Sequence, residues 1–206
     1  MRFHQLLSLI KKEPVFSSGF LQAGNSDKAA IARQLSRWKK EGRIVQLRRG
    51  LYMLGPDQQS RHPHLFAIAN RLRAGSYISL HSALAFYSLI PEHVPVINSV
   101  FAGRPGLLDT PAGSFQFRHL HPRLLFGYEH TDLGNGENAF IARPEKALLD
   151  LIHLTPGADN LYYLNELRLQ NLELFDLNRL KEYAGLGHLK KWLRAAALVE
   201  TIIMRG

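Results

Sequence analysis

Phe3, Leu6, Leu7 and Ile10 recur at the spacing of one helical face and Pro14 ends the pattern, which predicts a first helix over residues 2–12. Ser17 or Ser18 can cap a short second helix carrying Phe20 and Leu21, closed by Gly24 and Asn25, a pair suited to left-handed backbone. Ser26 then caps a longer helix, with Asp27 and Lys28 in its first turn, that runs to about Glu41 and has Gly42 just beyond its end. On a wheel advancing about 100° per residue, Ile31, Leu35 and Trp38 form one stripe, while Ala29, Arg33, Ser36, Arg37 and Lys40 lie opposite. From Arg43 the period changes to two, with strands over 43–48 and 51–54 on either side of a turn at Arg49 and Gly50. A two-residue loop sets Leu47 against Tyr52 and Val45 against Leu54 on an inner face, leaving Gln46, Arg48, Leu51 and Met53 outside. A lone ribbon is marginal in water, so it must pack on the helices, and the whole reads as a winged helix-turn-helix.

The polar stretch 55–63 is the expected linker, dividing the chain into residues 1–60 and 61–206. Beyond it, residues 64–73 read as a helix, and Ser79 caps another that runs to about Leu89. Residues 94–101 and 114–120 read as strands joined by a Gly/Pro-rich loop over 103–113. Pro144 opens a helix to about Leu154, since proline at a first helical position loses no needed hydrogen bond, and three more helices follow at 160–169, 177–184 and 187–203. Strands among helices, too few for a barrel, predict a mixed α/β (α+β) domain with a small sheet.

Charge sharpens this picture once it is placed along the chain. The formal net charge is +9, but residues 1–60 hold eleven Lys/Arg against four Asp/Glu, whereas residues 61–206 hold fifteen against thirteen. A local basic field of this kind best fits a phosphate backbone, so the expected partner is double-stranded promoter DNA. Lys28, Arg33, Ser36, Arg37, Lys40, Arg43, Arg48 and Arg49 are the candidate DNA-binding residues. Arginine forks can read guanine edges in the major groove, Lys40 and Ser36 suit phosphates, and Arg48 and Arg49 sit at the tip of the wing. A second, scattered basic set comprises Arg118, Arg123, Arg143, Lys190, Lys191 and Arg194, the last three opposite an apolar side of Leu189, Trp192, Leu193, Ala196 and Val199. It reads either as a solvated face or as another nucleic-acid surface.

Other chemistries find little support. Cysteine is absent, which removes disulfides and thiolate metal sites. His62 with His64 and His119 with His121 share the two-residue spacing of one strand face, and His81 stands nearby, but no third ligand follows at a metal-site spacing, so neither metal nor cofactor is expected. Asp150 within ALLDL is a lone carboxylate on an amphipathic helix, and Gly103, Gly106 and Gly113 form no phosphate-binding loop, so no catalytic residue and no enzyme are expected. Neither a leader nor a membrane span is legible, and a cytoplasmic protein is expected.

Three stretches carry a resemblance: IARQLSRWKKEGRIVQLRRGLYML (31–54), ISLHSALAFYSLIP (78–91) and IARPEKALLDLI (141–152). In this order and spacing they resemble the AbiEi family of antitoxins. The resemblance implies an N-terminal domain that represses its own operon and a C-terminal domain that opposes a nucleotidyltransferase-like toxin without a stable complex. It carries DNA contact to Arg33, Arg37, Lys40, Arg48 and Arg49, and reaches to about residue 155. The alternative is a stand-alone winged-helix regulator whose second domain senses a ligand or a protein.

Overall fold

A computed structural model describes residues 1–10, 15–23, 27–59 and 61–204. The turn expected at Gly24 and Asn25, the cap expected at Ser26 and the stop at Pro14 lie outside the described residues. The chain opens with α1 (Phe3–Ile10), β1 (Val15–Ser17), α2 (Ser18–Gln22) and α3 (Lys28–Lys40), followed by the hairpin β2 (Ile44–Arg48) and β3 (Leu51–Leu54). Ser17 caps α2, its hydroxyl accepting from the Phe20 amide at 3.0 Å, and Asp27 caps α3 by accepting from Ala30 at 2.8 Å. At the far end of α3 the amides of Gly42 and Arg43 donate back to the carbonyls of Lys39 and Trp38, a Schellman closure that holds Gly42 at φ +72°. Gly55 then crosses so close that a Cβ there would lie 1.9 Å from the Gly42 carbonyl oxygen. Helix exit and hairpin exit are thereby pressed together.

The wing has three strands rather than two, in the order β1-β3-β2, because Val15, Phe16 and Ser17 pair with Met53, Tyr52 and Leu51. Its register also departs from the one the loop length predicts. A bulge between Gln46 and Arg48 makes Leu47 the extra residue, so Ile44 faces Leu54, Val45 faces Met53 and Gln46 faces Tyr52. Ile44, Leu54, Tyr52 and Phe16 therefore share the face that packs on Leu6, Ile10, Leu21, Ile31, Leu35 and Trp38. Leu47, Leu51, Met53 and Val15 share the opposite face, and instead of meeting solvent they are buried in the large core of the rest of the chain. Of the two apolar residues of α2, Leu21 is buried and Phe20 is 55% exposed.

The second part begins with α4 (Leu65–Leu72), β4 (Tyr77–Ile78), α5 (Leu80–Phe86), β5 (Ile97–Phe101), β6 (Gly106–Thr110), β7 (Gly113–His119), β8 (Tyr128–Asp132) and β9 (Asn138–Ala142). Four helices follow: α6 (Pro144–Leu154), α7 (Leu161–Glu166), α8 (Leu177–Gly187) and α9 (Lys190–Ile203). Its mixed sheet runs β6-β7-β5-β4-β9-β8, with β4–β9 and β5–β7 parallel and the other neighbours antiparallel. The sheet is larger than expected. The Gly/Pro-rich loop contains β6, whose Thr110 pairs with Gly113 across a tight turn, and β8 and β9 form a hairpin around Gly134, Asn135 and Gly136, all at positive φ. Behind the sheet α6 contacts α5, α8 and α9 and is buried from Pro144 through Ile152. No helix among the described residues is long and apolar enough to cross a membrane.

Candidate nucleic-acid interface

Ile31, Leu35 and Trp38 are each at most 5% exposed, which fixes the rotation of α3 about its axis and turns Ala29, Arg33, Ser36, Arg37 and Lys40 outward. Phe3 packs edge-on to Trp38 at 5.2 Å and seals that inner side. The outward charges are weakly held. Arg33 lies 3.9 Å from Asp27 and Arg37 3.5 Å from Glu41, with the arginine side chains 74% and 63% exposed. Exposed pairs of this kind contribute about 0–1 kcal/mol at most, so a phosphate or a guanine edge can replace the carboxylate at little cost. Glu41 is the hub, since it also meets Arg43 at 3.0 Å.

Not all the basic residues lie on this face. Arg43 lies over the Phe3 ring at 5.2 Å, next to the seal over Trp38, and so stands beside the exposed face of α3 rather than on it. Lys28 begins α3 and is exposed. Lys39 points sideways and donates to the Gln46 side chain at 3.0 Å, tying α3 to the wing. Arg48 and Arg49 are exposed where β2 turns into β3, and Gly50, at φ +79°, accepts there from the Ser18 amide at 2.9 Å. The wing tip is therefore fastened to the start of α2. Together these elements present two arginines, a lysine and a serine on a helix of major-groove width, with two more arginines on an adjoining ribbon.

Residues 4–55 match the family model described as a transcriptional regulator, AbiEi antitoxin. The matched segment runs from α1 to the end of the wing. The crystal structure of the RV2827C protein from Mycobacterium tuberculosis resembles this chain with a TM-score of 0.52 and 18% identity, covering 96% of this chain and 75% of that one, a likeness of fold. No curated protein matches the chain.

The stretches 78–91 and 141–152 meet in the interior of the second part. Ile78 pairs with Ile141 between β4 and β9, and from the same neighbourhood Tyr77 and Ser79 donate to one Asp150 oxygen at 3.0 and 2.8 Å. Lys146, one helical turn before Asp150, pairs with the other carboxylate oxygen and donates to the Tyr77 hydroxyl at 2.8 Å. Its ammonium lies 5.3–5.4 Å from the ring centres of Tyr77, Phe126 and Trp192. Burial pushes the Lys146 ammonium below its ordinary range, and the Asp150 charge pulls it back up. Lys146, Asp150 and Glu145 are all fully buried, so this cluster offers no surface to a substrate. Glu145 instead accepts from the Asp176 amide at 2.8 Å and lies 3.5 Å from Arg179, joining α6 to the start of α8. The spacing in PEKALLD marked a helix, but only the packing showed that its charges point inward.

Three of the histidines that raised the metal question have other uses. The His64 Nδ1 accepts from the Phe66 amide at 3.1 Å and caps α4, the His121 Nδ1 accepts from Arg123, and the His119 Nδ1 lies 3.1 Å from the Gly103 carbonyl. Among the described residues no three His, Asp or Glu side chains converge as a metal site would require. The scattered basic set is largely engaged within the fold. Arg143 pairs with Glu129 and Arg194 with Asp159, while Arg118 and Lys191 donate to the carbonyls of Leu154 and Thr155.

Proposed function

We propose that the chain is an operator-binding autorepressor and the antitoxin of a two-gene module, opposing a nucleotidyltransferase-like toxin without forming a stable complex with it. The observation that carries this reading is the exposed Arg33-Ser36-Arg37-Lys40 face of α3 beside a basic wing, within a segment that matches the AbiEi regulator model. Lys28 and Arg43 flank that face, and Arg48 and Arg49 grip the backbone or minor groove from the wing. A division of labour at the linker near residue 60 accompanies the proposal, with residues 61–206 acting against the toxin. No catalytic role belongs to Lys146 or Asp150, because the cluster they form is closed to substrate.

Binding of the intact chain to the promoter of its own operon, followed by fluorescence anisotropy across a salt series, tests the DNA half. Contact with about five to seven phosphates gives a slope of log K against log salt of roughly −4.5 to −6. A nearly flat slope on the best duplex overturns the electrostatic part. Co-expression with the toxin encoded beside it tests the other half, with growth rescued by the intact chain as the expected result. Undiminished toxicity leaves a stand-alone regulator in its place.

A further inference from the structure

We propose that a cavity beyond the carboxyl ends of β5 and β7, lined by Arg73, Phe101, Arg104 and Pro105, is a second, separate site for a phosphoryl group, carried by a nucleotide or by a polynucleotide backbone. The cavity measures about 380 Å³. Parallel strands β5 and β7 end side by side there, with Phe101 opposite His119. Crevices outside the carboxyl ends of parallel strands are where open α/β sheets place their ligands.

The loop that follows β5 is fixed from several sides. Gly103 lies against the Phe101 ring, where a Cβ would come within 2.3 Å of a ring carbon, and its carbonyl is 3.1 Å from the His119 Nδ1. The Leu120 amide donates to the Phe101 carbonyl at 2.9 Å. Arg104 is thus held exposed on the rim by a short, anchored turn. Arg73 comes from the other direction, at the C-cap of α4, with its guanidinium 5.8 Å from the centre of the Phe117 ring. Stacking of this sort leaves the N–H edge of the fork free for a planar or tetrahedral anion.

The charges around this cavity are what mark it as a site. Elsewhere in the second part Arg143, Arg168, Arg179 and Arg194 each sit against a carboxylate. Among the described residues Arg73 and Arg104 have no such partner, and no acidic side chain lines their cavity. Two guanidinium groups around one space repel each other, and an anion between them relieves that repulsion. A phosphoryl group, with three acceptor oxygens and up to two charges, matches two forks better than a single carboxylate does.

Calorimetric titration of the intact chain with inorganic phosphate, ATP and a duplex lacking the operator tests the proposal, comparing the wild type with Arg73→Gln/Arg104→Gln. The double variant is expected to weaken binding of the competent probe by at least about tenfold, the loss of charge-assisted bonds to one group. Arg73→Lys/Arg104→Lys, which keeps the charge, is expected to recover part of that loss and shows that the fold survives substitution here. A loss in the double glutamine variant confined to ATP identifies a nucleotide as the source, and a loss confined to the duplex, over and above the binding that the winged helix supplies, identifies the backbone of a nucleic acid. Arg37→Ala, which impairs operator reading, should leave this site untouched, so failure of the two sites can be told apart. Equal affinities of the wild type and the double glutamine variant for every probe overturn the proposal.

Discussion

On α3 the charged residues Arg33, Arg37 and Lys40 stand in solvent, the two arginines with loose carboxylate partners, whereas on α6 Glu145, Lys146 and Asp150 are shut away completely. The two helices are similar in length and both carry apolar residues at helical spacing. They differ in how many sides are covered, since α3 is packed on one stripe and α6 is surrounded by α5, α8, α9 and the sheet. A charge on a one-sided helix is available to a partner. A charge on an enclosed helix must find its counter-charge and hydrogen bonds within the protein, and it then serves to specify one packing arrangement.

The enclosed helix is most vulnerable at Asp150. Asp150→Ala leaves the Lys146 ammonium buried without its counter-charge and is expected to cost about 3–5 kcal/mol in urea unfolding, while operator affinity of the folded fraction stays the same. Lys146→Met/Asp150→Leu should recover most of that loss, because removing both charges is far less costly than stranding one. A cost below about 1 kcal/mol for Asp150→Ala would show that the cluster is not a tightly closed one.

On the exposed helix the effects move from stability to binding. Arg37→Ala should cost about 1–3 kcal/mol on the cognate site and blur the preference for one base, whereas Lys40→Ala and Arg49→Ala should weaken all duplexes alike. Proportional loss of specific and non-specific binding in all three variants would contradict the orientation of α3 on DNA. Asp27→Ala sharpens the contrast further by acting in two directions. Loss of the cap lowers stability by about 1 kcal/mol, and loss of a negative charge 3.9 Å from Arg33 raises duplex affinity.

The smallest expected effect is one of pH and belongs to the second part. His64, His81 and His153 are held below their ordinary value of 6.5, each first by burial, with Glu137, Glu92 and Asp150 respectively pulling them back up. A histidine with a lowered folded pKa takes up its proton more readily in the unfolded chain. Its contribution is therefore complete above about pH 6.5 and is lost as pH falls through the folded value. Thermal melting between pH 7.5 and 5.5 should show the midpoint falling with pH, less steeply in His64→Asn, which no longer titrates at the cap of α4. A midpoint that rises toward pH 5.5 would refute this account.

Spacing and punctuation made much of the first region legible. The stripe of Ile31, Leu35 and Trp38, the glycine after α3 and the RRG turn all report local backbone preferences, and the structure places each of them as expected. The bulge at Leu47 was not legible, because the core that buries the Leu47 side chain is built largely from residues far along the chain. The same holds for β6, β8 and β9. Their side chains are mixed in character because they lie toward the edges of the sheet, although Asn135-Gly136 between two short alternating runs was a hairpin signal that could have been read.

The order of the first helices and the outward basic face of α3 follow from residues within a few positions of one another, and the uneven spread of charge can be counted along the chain, so all three were legible before any fold was known. Three features came from the folded arrangement alone: the second face of the wing is buried, Lys146 and Asp150 form a closed cluster with Tyr77 and Ser79, and Arg73 and Arg104 share a cavity. Each of these joins residues far apart in the chain, and whether a polar side chain meets water or protein there depends on which distant segment covers it.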